Sequence, residues 1–188
     1  MHDDRELAER RIARELWDRV LPLVHVDRIP LDVRAGPTPD DVEPFEVGSP
    51  WGTPWGTTWF ALTGSIPTDW IERGPTHRVE AIIDLGFIRD PAGFQAEGLV
   101  VERRPDGSWT PLQGIHPRRT NYLIDPVPAA VDLLVEAASN PTFPQFAPSS
   151  QGLPETASTK PIYRFRTADL VLVDIETEAL VHDLDVLD

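Results

Sequence analysis

The densest chemistry in this chain is aromatic: Trp51, Trp55, Trp59, Phe60 and Trp70 all fall within residues 51–70. An indole face stacks on the apolar C–H surface of a sugar ring and its N–H donates a hydrogen bond, so such a cluster could serve as a carbohydrate platform. Core and inter-sheet packing is the competing use, and the usual burial of tryptophan favours it. In an extended segment Trp55, Thr57 and Trp59 would share one face, with Thr58, Phe60 and Leu62 on the other. Trp51, set between proline and glycine, is the tryptophan expected to be exposed.

The second grouping is basic. His116-Pro117-Arg118-Arg119 is a local cationic cluster in an acidic chain, suited to an acidic neighbouring surface or a ligand oxygen, or simply to a solvated loop. His25-Val26-Asp27 has a His-x-Asp form, but two donors are not a coordination sphere, and a solvated pair is the plainer reading. His182-Asp183 belongs on the polar side of a helix. Carboxylates could support glycoside hydrolysis, which needs two of them across a sugar; Asp84, Glu97 and Glu102 lie in strand-like segments. A half-solvated sheet face bearing Glu80, Ile82 and Asp84 explains Asp84 without catalysis. There is no phosphate-binding Gly-Lys-Ser/Thr loop and no Gly-x-Ser-x-Gly elbow, so phosphoryl transfer and serine nucleophiles have no support.

The elements that must position these residues are mostly strands. Asp3 to Leu21 reads as a helix, with an apolar stripe of Ala8, Ile12, Leu16 and Val20 widened by Ala13 and Trp17. Asp3 and Asp4 are its expected caps and Pro22 its expected stop. Residues 30–54, interrupted by Pro30, Pro37, Pro39, Pro44, Pro50 and Pro54, are expected to be irregular. Strands are expected at Thr57–Thr63, Arg78–Leu85, Gln95–Glu102, Thr120–Ile124, Ala130–Ala137 and within Pro161–Val173, with a turn at Pro105-Asp106-Gly107-Ser108. Asn140–Lys160 reads as a surface excursion. Leu180, Leu184 and Leu187 begin an amphipathic helix with no closing signal, as in a longer polypeptide cut within a helix. The class expected is mainly β: an antiparallel sandwich of jelly-roll or galactose-binding-like type, with an N-terminal helix and the start of a C-terminal linker helix.

Composition narrows the functions. The 188 residues hold 31 Asp plus Glu against 17 Lys plus Arg, a net charge of -14. That acidity argues against nucleic acid or an anionic membrane as partner. Without cysteine there is no disulfide, thiolate metal site or cysteine nucleophile. Twenty prolines and 12 glycines suit a turn-rich β protein better than a helical bundle. The opening residues are too charged for a secretory signal, so a cytoplasmic location is expected.

Several runs carry a family resemblance. They are SPWGTPWGTTWFALTGSIPTDW from Ser49 to Trp70, VEAIIDLG from Val79 to Gly86, and GFQAEGLV from Gly93 to Val100. LQGIHPR from Leu112 to Arg118, VDLLVEAA from Val131 to Ala138 and ALVHDLDVL from Ala179 to Leu187 follow in order. Together they resemble the N-terminal domain of glycoside hydrolase family 38 α-mannosidases of the cytosolic and vacuolar type. The resemblance implies a β-sandwich preceding a catalytic barrel, which would hold zinc and an aspartate nucleophile and retain anomeric configuration. None of the family's catalytic residues has a matching position here, and His25 and Asp27 lack the context of its first metal motif.

The expected organisation is therefore 1–29 as helix and connection, 30–173 as sandwich, and 174–188 as a linker helix leading to a catalytic domain. The expected function is ancillary to release of terminal α-mannose from oligosaccharides. The chain itself is expected to be inactive and without cofactor, the parent enzyme to use zinc or another divalent metal. Expected partners are its own catalytic domain, further subunits of a homo-oligomer, and mannosides. Contacts to sugar or to a neighbouring domain are assigned to Trp51, Trp55, His116 and Arg118. A freestanding carbohydrate-binding module is the alternative.

Overall fold

A computed structural model describes residues 2–88, 95–125, 127–142 and 157–185. Among the described residues, twelve strands form two antiparallel sheets and a short ribbon. The smaller sheet consists of β1 (His25–Pro30), β12 (Thr167–Asp174), β6 (His77–Asp84) and β9 (Asn121–Ile124), hydrogen-bonded in that order. The larger consists, again in spatial order, of β3 (Asp41–Pro44), β2 (Asp32–Thr38), β5 (Thr57–Ser65), β10 (Ala130–Ala138), β7 (Glu97–Arg103) and β8 (Trp109–Ile115). The ribbon pairs β4 (Pro50–Trp51) with β11 (Tyr163–Arg164).

Alternation along the strands builds the core. Phe60 and Leu62 of β5, Leu133 and Val135 of β10 and Val100 of β7 meet Val79, Ala81 and Ile83 of β6 and Leu170 and Leu172 of β12. Each of these side chains is at most 9% exposed, and burial on this scale is the main force holding the two sheets face to face. The β7–β8 hairpin closes through the expected turn: Gly107 takes φ +83, and Asp106 accepts hydrogen bonds from the backbone N–H and hydroxyl of Ser108 at 2.9 and 2.6 Å.

The terminal helices cover the smaller sheet. α1 (His2–Glu15) runs through a π-helical turn (Leu16–Val20) into α2 (Leu21–Val24), so Pro22 does not stop the helix as expected. The Leu21 N–H bonds to the Leu16 carbonyl, five residues back, and Pro22 sits in the first turn of α2, where its missing N–H costs little. Of the expected stripe Leu16 is buried and Val20 half-buried, but Ala8 is exposed. The side chains of Asp3, Asp4, Ile12 and Trp17 lie outside those described. The short α3 (Thr68–Ile71) follows β5, and α4 (Ile175–Asp185) follows β12 at the other terminus. The latter packs through half-buried Val181 onto Val24, Val171 and Val173, while Leu180 is 47% exposed. Leu187 lies outside the described residues, as does most of the 140–160 excursion.

Residues 30–54 are largely strand, contrary to expectation. The prolines stand where a ladder does not need their N–H: Pro30 and Pro44 end the outermost strands β1 and β3, and Pro37 falls in the register shift between Ala35 and Thr38. On the face shared by Glu80, Ile82 and Asp84 only Glu80 departs from the half-solvated expectation: it is 5% exposed, while Ile82 and Asp84 are half-buried.

Candidate functional site

Trp51 is buried rather than exposed, at 3%. The ribbon holds it against Tyr163, stacked at 5.5 Å, with Phe60 edge-on at 5.2 Å. Its Nε1–H donates to the Leu85 carbonyl at 2.7 Å, which satisfies the polar end inside the core. Trp51 therefore has no free ring face to offer a sugar.

Trp55 is half-buried and not on the strand with Trp59; it lies in the turn before β5 with φ +65. This conformation is costly for a bulky residue and is held by its surroundings. The Trp55 N–H donates to the Ser139 carbonyl at 3.0 Å, and the buried Ser139 hydroxyl donates to the carbonyls of Thr53 and Gly56. Gly52 is required here: at φ +71, a Cβ on it would meet the Ser139 Cβ at 2.5 Å.

His116 and Arg118 are exposed in the turn after β8. His116 and Arg119 exchange backbone hydrogen bonds at 3.1 and 2.8 Å, and Arg119 donates to Gln113 at 2.8 Å. The starts of β5 and β7 and the ends of β10 and β8 share one end of the larger sheet. Trp55 and the His116 turn thus lie at the same end, three strand positions apart, or about 14 Å. Between them a shallow depression of about 330 Å³ is lined by Thr57, Glu97, Gly98, Gly114 and Glu136.

The proposed carboxylates do not converge. Asp84 is on the smaller sheet, where its Oδ1 accepts the N–H groups of Gly86 and Phe87 at 2.8 and 2.9 Å. Glu97 and Glu102 stand at opposite ends of β7, paired with Ala138 and Thr110. His25 and Asp27 do not fit a zinc site. Asp27 is engaged through Oδ1 by the Arg28 N–H and through Oδ2 by Trp70 Nε1–H at 3.3 Å, and His25 Nδ1 lies 3.4 Å from the Arg28 guanidinium. Desolvation, then the charge of Arg28, holds the His25 pKa below its ordinary value. Among the described residues no group of three or more His, Cys, Asp or Glu could hold a metal ion.

A second place escaped the sequence reading. At the other end of the larger sheet a groove of about 460 Å³ is lined by Val101, Arg103, Trp109, Tyr122, Asp132 and Leu134, among others. Trp109 is directly opposite Arg103 across the hairpin, with the guanidinium 5.4 Å from the ring centroid and Trp59 tilted against it at 5.7 Å. The Arg103 head is held by Asp40 at 2.7 Å. The turn before Trp109 is plain in the sequence, but the cross-strand neighbours that make the groove depend on strand order.

Residues 23–171 match the family model described as "Alpha-mannosidase, jelly roll domain". No curated protein matches the chain.

Proposed function

Because the chain belongs to the α-mannosidase jelly-roll domain family, we propose that it is the ancillary N-terminal domain of a zinc-dependent, retaining α-mannosidase of glycoside hydrolase family 38. The observation that carries this reading is the match over residues 23–171, which spans most of the sandwich. In this reading the parent enzyme releases terminal α-mannose from oligosaccharides in the cytoplasm. Zinc and the nucleophile belong to its catalytic domain, and no step is assigned to residues of this chain. The scattered carboxylates and the engaged His25 and Asp27 support that division of labour.

The role of the domain is to pack against the catalytic domain and to contribute to contacts between subunits. Residues 30–173 then serve as most of the sandwich, which β1 (His25–Pro30) of the N-terminal segment joins rather than connecting to it, and 174–188 as linker. The exposed His116 and Arg118 turn is a contact for a neighbouring acidic surface, and Trp55 stands at the same end.

An aryl α-mannoside assay tests the proposal. The 188-residue chain is expected to show no turnover with or without added zinc, and the parent enzyme to show turnover that chelation abolishes. Turnover by the isolated chain, or none by the parent, would overturn it. A denaturing gel of the natural protein is expected to show a subunit several times larger than 21.0 kDa.

A further inference from the structure

We propose that the outer face of the larger sheet is a docking surface for the parent's catalytic domain, through a patch on that domain with an apolar centre and a margin of lysine and arginine; the identity of the occupant rests on the α-mannosidase reading. Residues paired across antiparallel strands share a face, so the register lays this surface out. One row runs Arg34, Ala61, Leu134, Val101 and Pro111 across β2, β5, β10, β7 and β8. Beside it run Trp59, Glu136, Leu99 and Gly114, and on its other side Asp32, Thr63 and Asp132. β5 and β8 stand three places apart, about 14 Å, yet the rings of Trp59 and Trp109 are 5.7 Å apart. The two indoles therefore lie along the sheet across β10 and β7, where Val101 is buried beside half-exposed Leu99 and Leu134.

The chemistry of the face selects its occupant. Asp32, Asp132, Glu136 and Glu97 stand on it against Arg34 and Arg103, and Asp40 already holds Arg103 at 2.7 Å. The surplus is negative, so the margin that fits it is cationic. A second copy set face to face would bring these carboxylates against their own equivalents, in a chain whose net charge is already -14. Arg103 and Trp59 flank the Trp109 ring, so the face offers a broad apolar area and no free ring for a small ligand.

The area fits a domain of the same polypeptide. Five strands, β2 to β8, spaced about 4.8 Å apart and each about seven residues long at about 3.3 Å per residue, present roughly 550 Å². Two such faces bury about 1,100 Å², within the range of contacts between domains of one chain and short of the about 1,600 Å² of a standard complex between free proteins. Tethering supplies the remainder, because a linked partner is held at a high effective concentration. The smaller sheet offers no such face: α2 and α4 lie over Val171 and Val173.

The test is hydroxyl-radical footprinting of Trp59, Trp109 and Leu112 in the 188-residue chain and in the parent enzyme. Oxidation is expected at all three in the isolated chain and severalfold more slowly in the parent. The charge-reversed parent, Asp132→Lys with Glu136→Lys, is expected to regain much of the lost rate. A photo-cross-linking residue in place of Leu112, which is 44% exposed, should join the sandwich to the catalytic domain of its own chain and leave the subunit mass on a denaturing gel unchanged. Equal oxidation in the two proteins, protection that persists in the charge-reversed parent, or a cross-link that doubles the subunit mass would overturn the proposal, the last by assigning the face to a second subunit. Circular dichroism checks folding; should the double variant fail to fold, the unsubstituted comparison and the cross-link decide. Failure of the parent to turn over aryl α-mannosides would instead overturn the α-mannosidase reading, whereas the footprint decides the docking face on its own.

Discussion

The outer faces of the two sheets are both rich in apolar residues and end up in different surroundings. On the smaller sheet Val171 and Val173 are at most 1% exposed, because α2 and α4 lie over them. On the larger sheet Trp59, Ala61, Leu99 and Leu134 alternate with core residues and stay half-exposed. An antiparallel sheet commonly turns a polar face to water. The contrast teaches that apolar alternation on both faces of a strand marks a covered surface in one sheet and a candidate binding surface in the other.

The charged residues follow the same division. Under the helices, Arg78 donates from Nε to Glu80 at 2.7 Å and from Nη2 to Glu178 of α4 at 2.5 Å, while Asn121 donates to the other Glu80 oxygen at 3.1 Å. Arg78 so ties α4 to the sheet, and its pKa is raised, first by the bond to Glu178. On the open face Arg103 makes its pair with Asp40 at 55% and 67% side-chain exposure, where screening weakens it.

Paired substitutions can break this comparison. Val171→Asp puts an unpaired carboxylate under the helices and is expected to cost about 4 kcal/mol, whereas Leu134→Asp on the open face should cost about 1 kcal/mol. Urea unfolding measures both. Equal costs would show that the larger sheet's outer face is also covered.

A smaller effect separates the two arginines. Arg78→Met leaves Glu80 and Glu178 without their cation and is expected to cost about 2 kcal/mol, less than a fully buried pair because the side chain keeps 25% exposure. Amide exchange in 175–185 should quicken with it. Arg103→Met should cost less than about 0.5 kcal/mol and leave that exchange unchanged. Unaltered α4 exchange in Arg78→Met would remove the tie.

The ribbon end of the sandwich offers a pH test. Burial pushes the Tyr163 pKa up to about 12 from 10.0. A raised folded-state pKa means that stability is fully present below pH 10.0 and is lost as pH climbs from there toward about 12. The loss should reach about 2 kcal/mol and should be absent in Tyr163→Phe, followed by thermal unfolding against pH. An identical alkaline decline in both proteins would assign it elsewhere.

Much of the sandwich was legible because its strands after residue 56 alternate cleanly or are continuously apolar. β5, β6 and β10 fall within two residues of the expected spans. Residues 30–54 were not legible, since proline reads as a breaker until its place at a sheet edge is known. The site was less legible than the fold. His116 and Arg118 could be read as an exposed turn, but Trp51 could not be read as buried, because Tyr163 and Leu85 reach it only through tertiary pairing.

The sequence by itself determined the β-rich class, the Asp106–Gly107 turn and the acidic surface, since each rests on local residue chemistry. Tertiary structure decided which apolar faces the terminal helices cover and which stay open, and it brought Arg103, Trp109 and Asp132 to one groove. Those outcomes depend on strand order and register, which join residues distant in the chain and which no local pattern encodes.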